Sequence, residues 1–143
     1  MFEQYDPGQV IIQLGGRILT GFAAGTFITA ERNEDSFSEV VGSDGLVTRV
    51  FSRNKSGIVT LTLQGASPSN DLLAAQHAAD ELTRTGFANL SVTDLNGTTR
   101  VNAPIAWVRK PANYEAADSE SSREWVLACA QLFMHVGGGN LSL

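Results

Sequence analysis

The sequence predicts a mainly β protein: two packed antiparallel sheets, arranged as a sandwich or barrel, with one flanking α-helix. Apolar and polar side chains alternate strictly from Ile58 to Gln64, and β-branched residues are frequent there, as in a half-buried strand. Asn96-Gly97 lies between two β-rich runs and is a strong signal for a hairpin turn. Only the segment from Ser67 to Gly86 has the end signals and spacing of a helix. Strands therefore outnumber helices, which favours a sandwich or barrel.

The first strands are expected close to the amino terminus. Val10–Leu14 and Arg17–Leu19 flank Gly15-Gly16, a pattern typical of two short strands around a tight turn. Side chains then alternate with a period of two from Thr26 to Asn33, which predicts another strand.

The helix is expected to begin with Ser67 as the N-cap and Pro68 at the first helical position, and to end at Gly86. A narrow apolar stripe should dock on a sheet face, leaving the charged residues in water. The residues of this stripe are Leu72, Ala75, Ala79 and Leu82.

Further β segments are expected after the helix. They are Leu90–Asp94, Thr98–Val101, Ile105–Lys110 and Arg123–Val136. Pro111 ends the third of these because it cannot donate to a ladder. The connection Ala112–Ser122 carries acidic residues and no basic residue, so we expect an exposed loop.

Length and charge restrict the function. A chain of 143 residues fits one domain, residues 1–143. The net charge is −5 and the isoelectric point is near 4.9. A sequence-independent grip on nucleic acid needs clustered Lys and Arg, so this balance disfavours DNA binding. No apolar run approaches the length of about 20 residues that a membrane span requires, and MFEQYDPGQV does not resemble a secretory signal.

The sequence offers no recognisable catalytic or metal-binding set. His77 and His135 are the only histidines and Cys129 is the only cysteine. They complete neither a metal site nor a nucleophile–base pair at any known spacing, so we expect no enzyme activity, cofactor or metal. Cys129 alternates in phase with Leu127, which predicts a buried thiol.

The segment from Glu31 to Gly57 is the strongest candidate for function. It is expected to form two long strands joined at Asp44-Gly45. Its leading arm is rich in acids, whereas its returning arm carries only bases, so it is suited to contact another copy of the chain. The candidate contact residues are Glu34, Asp35, Glu39, Asp44, Gly45, Arg49, Arg53 and Lys55.

Six blocks of the sequence, taken in order, identify a family. They are YDPGQV, LTGFAAGTFITAERNEDSF, VGSDGLVTRVFSRNKSGIVTLTLQGASPSND, VTDLNGTTR, AWVRKPA and REWVLACA. Over nearly its whole length, the chain resembles the tail tube proteins of bacteriophages with contractile tails.

This resemblance implies a fold shared with the tube of type VI secretion, including a long protruding hairpin. It also implies a structural virion protein of the tail, assembled in the host cytoplasm. Six copies would close into a ring, and rings would stack into a hollow tube that DNA traverses without specific binding. Residues 34–56 would reach the adjacent ring. The sheath would lie outside, with baseplate and terminator proteins at the ends.

The sequence is also compatible with two alternatives. Within the tail, the chain could form a capping ring or a ring near the baseplate instead of the repeating unit. From a different class, a small β-barrel could bind a ligand in its interior, which would predict a monomer with a cavity.

Overall fold

The structure is a computed structural model that describes residues 3–138 and 141–142. Within them lie one α-helix, α1 (Ser69–Thr83), and twelve β-strands. The strands are β1 (Glu3–Gln4), β2 (Val10–Leu14), β3 (Arg17–Ile18), β4 (Ile28–Arg32), β5 (Phe37–Val41), β6 (Val47–Phe51), β7 (Gly57–Gln64), β8 (Ala88–Asp94), β9 (Arg100–Val108), β10 (Ser122–Cys129), β11 (Phe133–His135) and β12 (Leu141–Ser142).

Eight strands form one antiparallel sheet. Its order is β3-β2-β8-β9-β10-β7-β4, and β11 pairs with β9 beside this path. The strands β2, β8 and β9 on one side of this order and β10, β7 and β4 on the other contribute side chains to the same core. The sheet therefore curls into two layers that pack face to face. β5 and β6 form a separate two-stranded sheet, and β1 pairs with β12. The predicted fold class is confirmed: mainly β, antiparallel layers, one helix.

The core follows the predicted alternation of β7. Val59, Leu61 and Leu63 are buried, and the residues between them are half-buried. Trp125 on β10 is opposite Leu61, and its indole Nε1 donates to Asn70 Oδ1 of α1 at 2.9 Å. This hydrogen bond ties the helix to the sheet.

The amino-terminal elements agree with the sequence. β2 and β3 flank Gly15-Gly16, whose φ angles of +60° and +81° lie in the left-handed region that glycine tolerates. β4 lies within the predicted Thr26–Asn33 run and pairs with β7.

The start of the helix agrees with the prediction in its capping contact, whereas its end differs. Pro68 already has helical dihedral angles, φ −66° and ψ −18°, and makes no side-chain cap bond. The Ser67 hydroxyl accepts from Ser69 N at 3.2 Å, as the predicted cap should, and also donates to the Thr20 carbonyl at 2.6 Å. Ser67 thus joins the helix entry to the loop after β3. The helix ends at Thr83, and its C-cap is Arg84, whose φ is +60°, two residues before the predicted stop at Gly86.

Only one residue of the predicted apolar stripe of the helix faces the core. Leu72 is half-buried and packs against the core, as predicted. The rest of the stripe is wrong: Leu82 is 86% exposed, and Ala75 and Ala79 are also exposed. The completely buried residue of the helix is Leu73. Alanines and leucines are spread around this helix, so spacing alone does not determine which face turns inward. The rotation is set by polar contacts at the first turn, where Ser69 Oγ accepts from Thr20 N at 2.9 Å.

The carboxyl-terminal strands are divided differently from the prediction. β9 runs continuously through residues 100–108 and so joins two predicted segments. The predicted run Arg123–Val136 is instead broken between β10 and β11. The break arises because β10 pairs with the last part of β9, at Ala106 to Val108, while β11 pairs with its first part.

Among residues 3–138 and 141–142, no helix is long and apolar enough to cross a membrane.

Candidate functional site

The hairpin of β5 and β6 is the candidate site. Its five cross-strand pairs run from Phe37 opposite Phe51 to Val41 opposite Val47. At its tip, Gly42 N donates to Leu46 O at 2.8 Å, and Asp44 Oδ1 accepts from Leu46 N at 3.1 Å. Gly45 has a φ of +88°, so a side chain there would be strained. The predicted turn at Asp44-Gly45 is therefore confirmed, although each strand has only five residues.

The root of the hairpin is held tightly to the sheet. Asn33 N donates to Ser56 O and Asn33 Nδ2 donates to Ser56 Oγ, both at 3.0 Å. At Gly57, a Cβ atom would lie 2.5 Å from Leu132 Cδ2 and 2.7 Å from Glu31 O. These contacts fix where the hairpin leaves the body.

The structure brings only some of the predicted contact residues together. Glu39 lies opposite Arg49, and Glu34 Oε2 accepts from Ser52 Oγ at 3.0 Å. Asp44 and Gly45 form the tip, away from the bases Arg53 and Lys55, which follow β6. Asp35 lies between β4 and β5. All are exposed except Lys55, which is half-buried.

None of the charged groups on the hairpin lies within ion-pair distance of an opposite charge elsewhere in the described chain. The one ion pair there joins His77 Nε2 and Glu81 Oε1 at 3.3 Å, on α1. Two hairpin bases contact aromatic rings instead: Arg49 Cζ lies 4.4 Å from the Phe37 ring centroid, and Lys55 Nζ lies 5.8 Å from that of Phe133.

The hairpin also has an exposed apolar surface, which was not predicted from the sequence. Seven large apolar side chains between residues 37 and 51 are 46% to 67% exposed. They are Phe37, Val40, Val41, Leu46, Val47, Val50 and Phe51. The available signal was apolar side chains on both faces of a short hairpin with no core to cover them.

The body of the protein carries an open apolar groove of about 570 Å³. It lies where β4 faces the layer made by β2, β8 and β9. Val92 and Val101, two core residues, contribute to its lining, and Asp94 is its one charged residue. The remaining lining residues include Tyr5, Val10, Phe27, Ile28, Ala30, Met134 and Val136.

The groups considered for catalysis are dispersed. His77 lies on α1 and His135 on β11, and burial raises the pKa of the Cys129 thiol to about 11. In the part of the chain that is described, no three His, Cys, Asp or Glu side chains cluster so as to hold a metal ion. The buried position of Cys129 agrees with the prediction.

The chain is similar to a known phage protein. Its sequence is 29% identical to the "Structural protein ORF10" of Pseudomonas phage KPP10 over 147 residues, which cover 96% of this chain and 85% of the relative.

The fold is shared with proteins of contractile injection systems. A chain from the PVC sheath/tube terminator in its extended state matches with a TM-score of 0.66 and 13% identity, covering 93% of this chain and 97% of that one. A chain from the tube-terminating cap of the anti-feeding prophage matches with a TM-score of 0.62 and 11% identity, covering 96% and 94%.

A third match is a chain of the PVC sheath–tube complex, with a TM-score of 0.63 and 14% identity, covering 94% of this chain and 93% of that one. At these identities the likeness shows the fold alone.

The family described as "Bacteriophage PhiTE tail tube protein" matches residues 11–137. Because this match spans most of its length, the chain belongs to that family of structural phage tail proteins.

Proposed function

We propose that this chain is the repeating unit of the phage tail tube. Copies close into hexameric rings, and the rings stack into the hollow cylinder through which DNA is delivered. The observation that carries the proposal is the free hairpin, whose two strands are exposed along their whole length. Because a lone two-stranded hairpin is at best marginally stable in water, packing against another molecule would stabilise it.

The hairpin supplies the contact between rings. Open stacks need head-to-tail contacts between unlike surfaces, and a projecting arm on one side of a subunit fits that requirement. Its charges, unpaired within the described chain, add orientation and register when opposite charges meet across the contact. The proposed contact residues are Glu34, Asp35, Glu39, Asp44, Gly45, Arg49, Arg53 and Lys55.

The other partners follow from a tube. The sheath surrounds it, and baseplate and terminator proteins close its two ends. The subunits assemble in the host cytoplasm, as a single domain over residues 1–143. DNA passes through the lumen without specific binding, because the net charge of −5 disfavours adhesion of phosphate groups.

Negative-stain microscopy of the purified chain tests this function. We expect rings or tubes at high concentration, either spontaneously or after addition of a tail initiator complex. A species that stays strictly monomeric under both conditions would contradict the proposal.

A second candidate is a ring that ends the tube. The matches to chains from a sheath/tube terminator and from a terminating cap favour it. Copy number in the purified virion separates the two: a repeating unit occurs in many rings, whereas an end component occurs in one.

A further inference from the structure

We infer that the apolar face of the hairpin docks into the open groove on the body of a second copy, and that this apolar contact supplies most of the adhesion between copies. The inference rests on the proposed assembly into a tube.

One face of the hairpin is the richer in apolar surface. Side chains alternate along a strand, so Phe37 and Val41 share a face with their cross-strand partners Phe51 and Val47. The two aromatic rings on this face have centroids 5.4 Å apart. Glu39 and Arg49 lie between the two apolar pairs. The opposite face has only one apolar residue in each pair, Val40 with Thr48 and Val50 with Ser38.

The groove has the matching chemistry. Its walls include Val10, Ile28, Ala30 and Met134, which pack against the core, so an apolar side chain entering it would extend that core. At its rim, Tyr5 and Val136 are 55% and 71% exposed. A volume of about 570 Å³ is comparable with sites that enclose whole ligands of roughly 300–1,000 Å³, so it has room for several side chains.

The docking face of the hairpin and the groove are complementary, because both are apolar and exposed. Each is an apolar area that the described chain leaves in water, and water-exposed apolar patches of this kind mark sites of association. The hairpin leaves the body at Asn33 and Ser56, so it projects as an arm while the groove remains open on the body. An arm and a groove at different places on one chain give a head-to-tail contact that can repeat indefinitely.

The test compares matched substitutions on the two faces of the hairpin. Val41→Thr with Val47→Thr places hydroxyls on the docking face, while Val40→Thr with Val50→Thr places the same two changes on the opposite face. Threonine keeps the shape and strand preference of valine, so the hairpin is preserved. For the docking-face pair, we expect the critical concentration for tube growth to rise by about tenfold or more, since two buried methyl groups become polar. The control pair should change it much less.

A substitution in the groove completes the test. Val136→Asp places a charge at an exposed position on the rim, so the fold should be retained and tube growth lost. In addition, tubes of the double variant Val47→Cys with Val136→Cys, treated with oxidised glutathione as the oxidant, should form disulfide-linked dimers and longer ladders, with the glutathione reduced to its thiol. Cys129 is buried and does not compete.

Several outcomes would overturn the inference. If the wild type forms tubes and the docking-face pair grows them equally well, the inference fails and the proposed function stands. Equal loss in both hairpin pairs, or a cysteine cross-link that forms only within one monomer, would also reject this docking. If the wild type forms neither rings nor tubes, the proposed function fails and the inference falls with it.

Discussion

Glu39 lies directly opposite Arg49 across the hairpin, and the Arg49 guanidinium carbon lies 4.4 Å from the ring centroid of Phe37 in the same hairpin. The acidic and basic residues that are separated along the sequence therefore lie next to each other on paired strands of the hairpin. Arg49 therefore contacts side chains of its own chain, whereas Arg53 lies beyond the end of β6 and is exposed.

Reversing the charge of Arg49 should loosen the hairpin. Arg49→Glu places two carboxylates opposite each other and removes the contact with Phe37, and such cross-strand pairs contribute about 0.2–1 kcal/mol. We expect faster amide hydrogen exchange at residues 37–51 with an unchanged melting temperature. The swap Glu39→Arg with Arg49→Glu should recover most of the protection. Wild-type exchange rates in the single variant would show that the side-chain interactions of Arg49 do not stabilise the hairpin.

Reversing Arg53 should weaken stacking without affecting the fold. Arg53 is exposed and outside any strand, so Arg53→Glu should leave the melting temperature unchanged and slow tube growth at low salt. The difference should shrink as the Debye length falls from about 10 Å at 0.1 M salt to about 3 Å at 1 M. Arg17→Glu, the same charge change on β3, serves as the control. Equal tube growth by the Arg53 variant and the wild type in low salt would sink the electrostatic role.

Two leucines on the helix should respond very differently to the same change. Leu73→Ala should cost about 2–5 kcal/mol of folding free energy, because the side chain is completely buried. Leu82→Ala should stay within about 0.5 kcal/mol in the monomer, because that side chain is 86% exposed. Urea unfolding of both variants measures this. A larger loss for Leu82 would restore the stripe that the sequence predicted.

The helix shows why the sequence predicts some features and not others. The alternation in β7 fixes which side chains face the core, because a strand has only two faces. An alanine-rich helix offers several acceptable stripes, and the choice depends on distant partners such as Thr20 and Trp125. Those contacts span roughly 50 positions in the sequence and leave no local pattern.

The position of the candidate site in the chain was predicted from the sequence, but its exposed apolar surface was not. The Asp44-Gly45 turn and the charged arms are local features, so the hairpin could be located from the sequence. Its exposed apolar faces, by contrast, follow from its separation from the main sheet, which is a property of the whole fold. The groove is equally invisible to the sequence, because residues from Tyr5 to Val136 line it.

Asn96 should anchor the amino-terminal segment. Its side chain is buried, accepts from Asp6 N at 3.1 Å and donates to Asp6 O at 2.9 Å, so it pairs with Asp6 as a neighbouring strand would. Asn96→Ala removes both hydrogen bonds, and because Asp6 is itself exposed and can bond to water instead, we expect a cost of about 0.5–1.5 kcal/mol. Asn89→Ala changes an exposed asparagine and is the matched control. Hydrogen exchange at residues 4–9 should rise only in the Asn96 variant; equal protection in both would contradict the anchor.

Cys129 should be inert in the folded protein and should make stability fall at high pH. Burial raises its pKa from 9.0 to about 11, so a folded thiol keeps its proton where an unfolded thiol loses it. Unfolding therefore releases a proton between those values, and the free energy of unfolding should decrease as pH rises through that window.

Urea unfolding across this window, compared with Cys129→Ala, measures the effect: the wild type should lose more stability than the variant. A thiol reagent at pH 8 should label the unfolded chain promptly and the folded chain only at the rate of opening, because the thiolate is the reactive form. Equal pH slopes in the two proteins, together with rapid labelling of the folded chain, would show that the thiol is accessible and that burial does not control its ionisation.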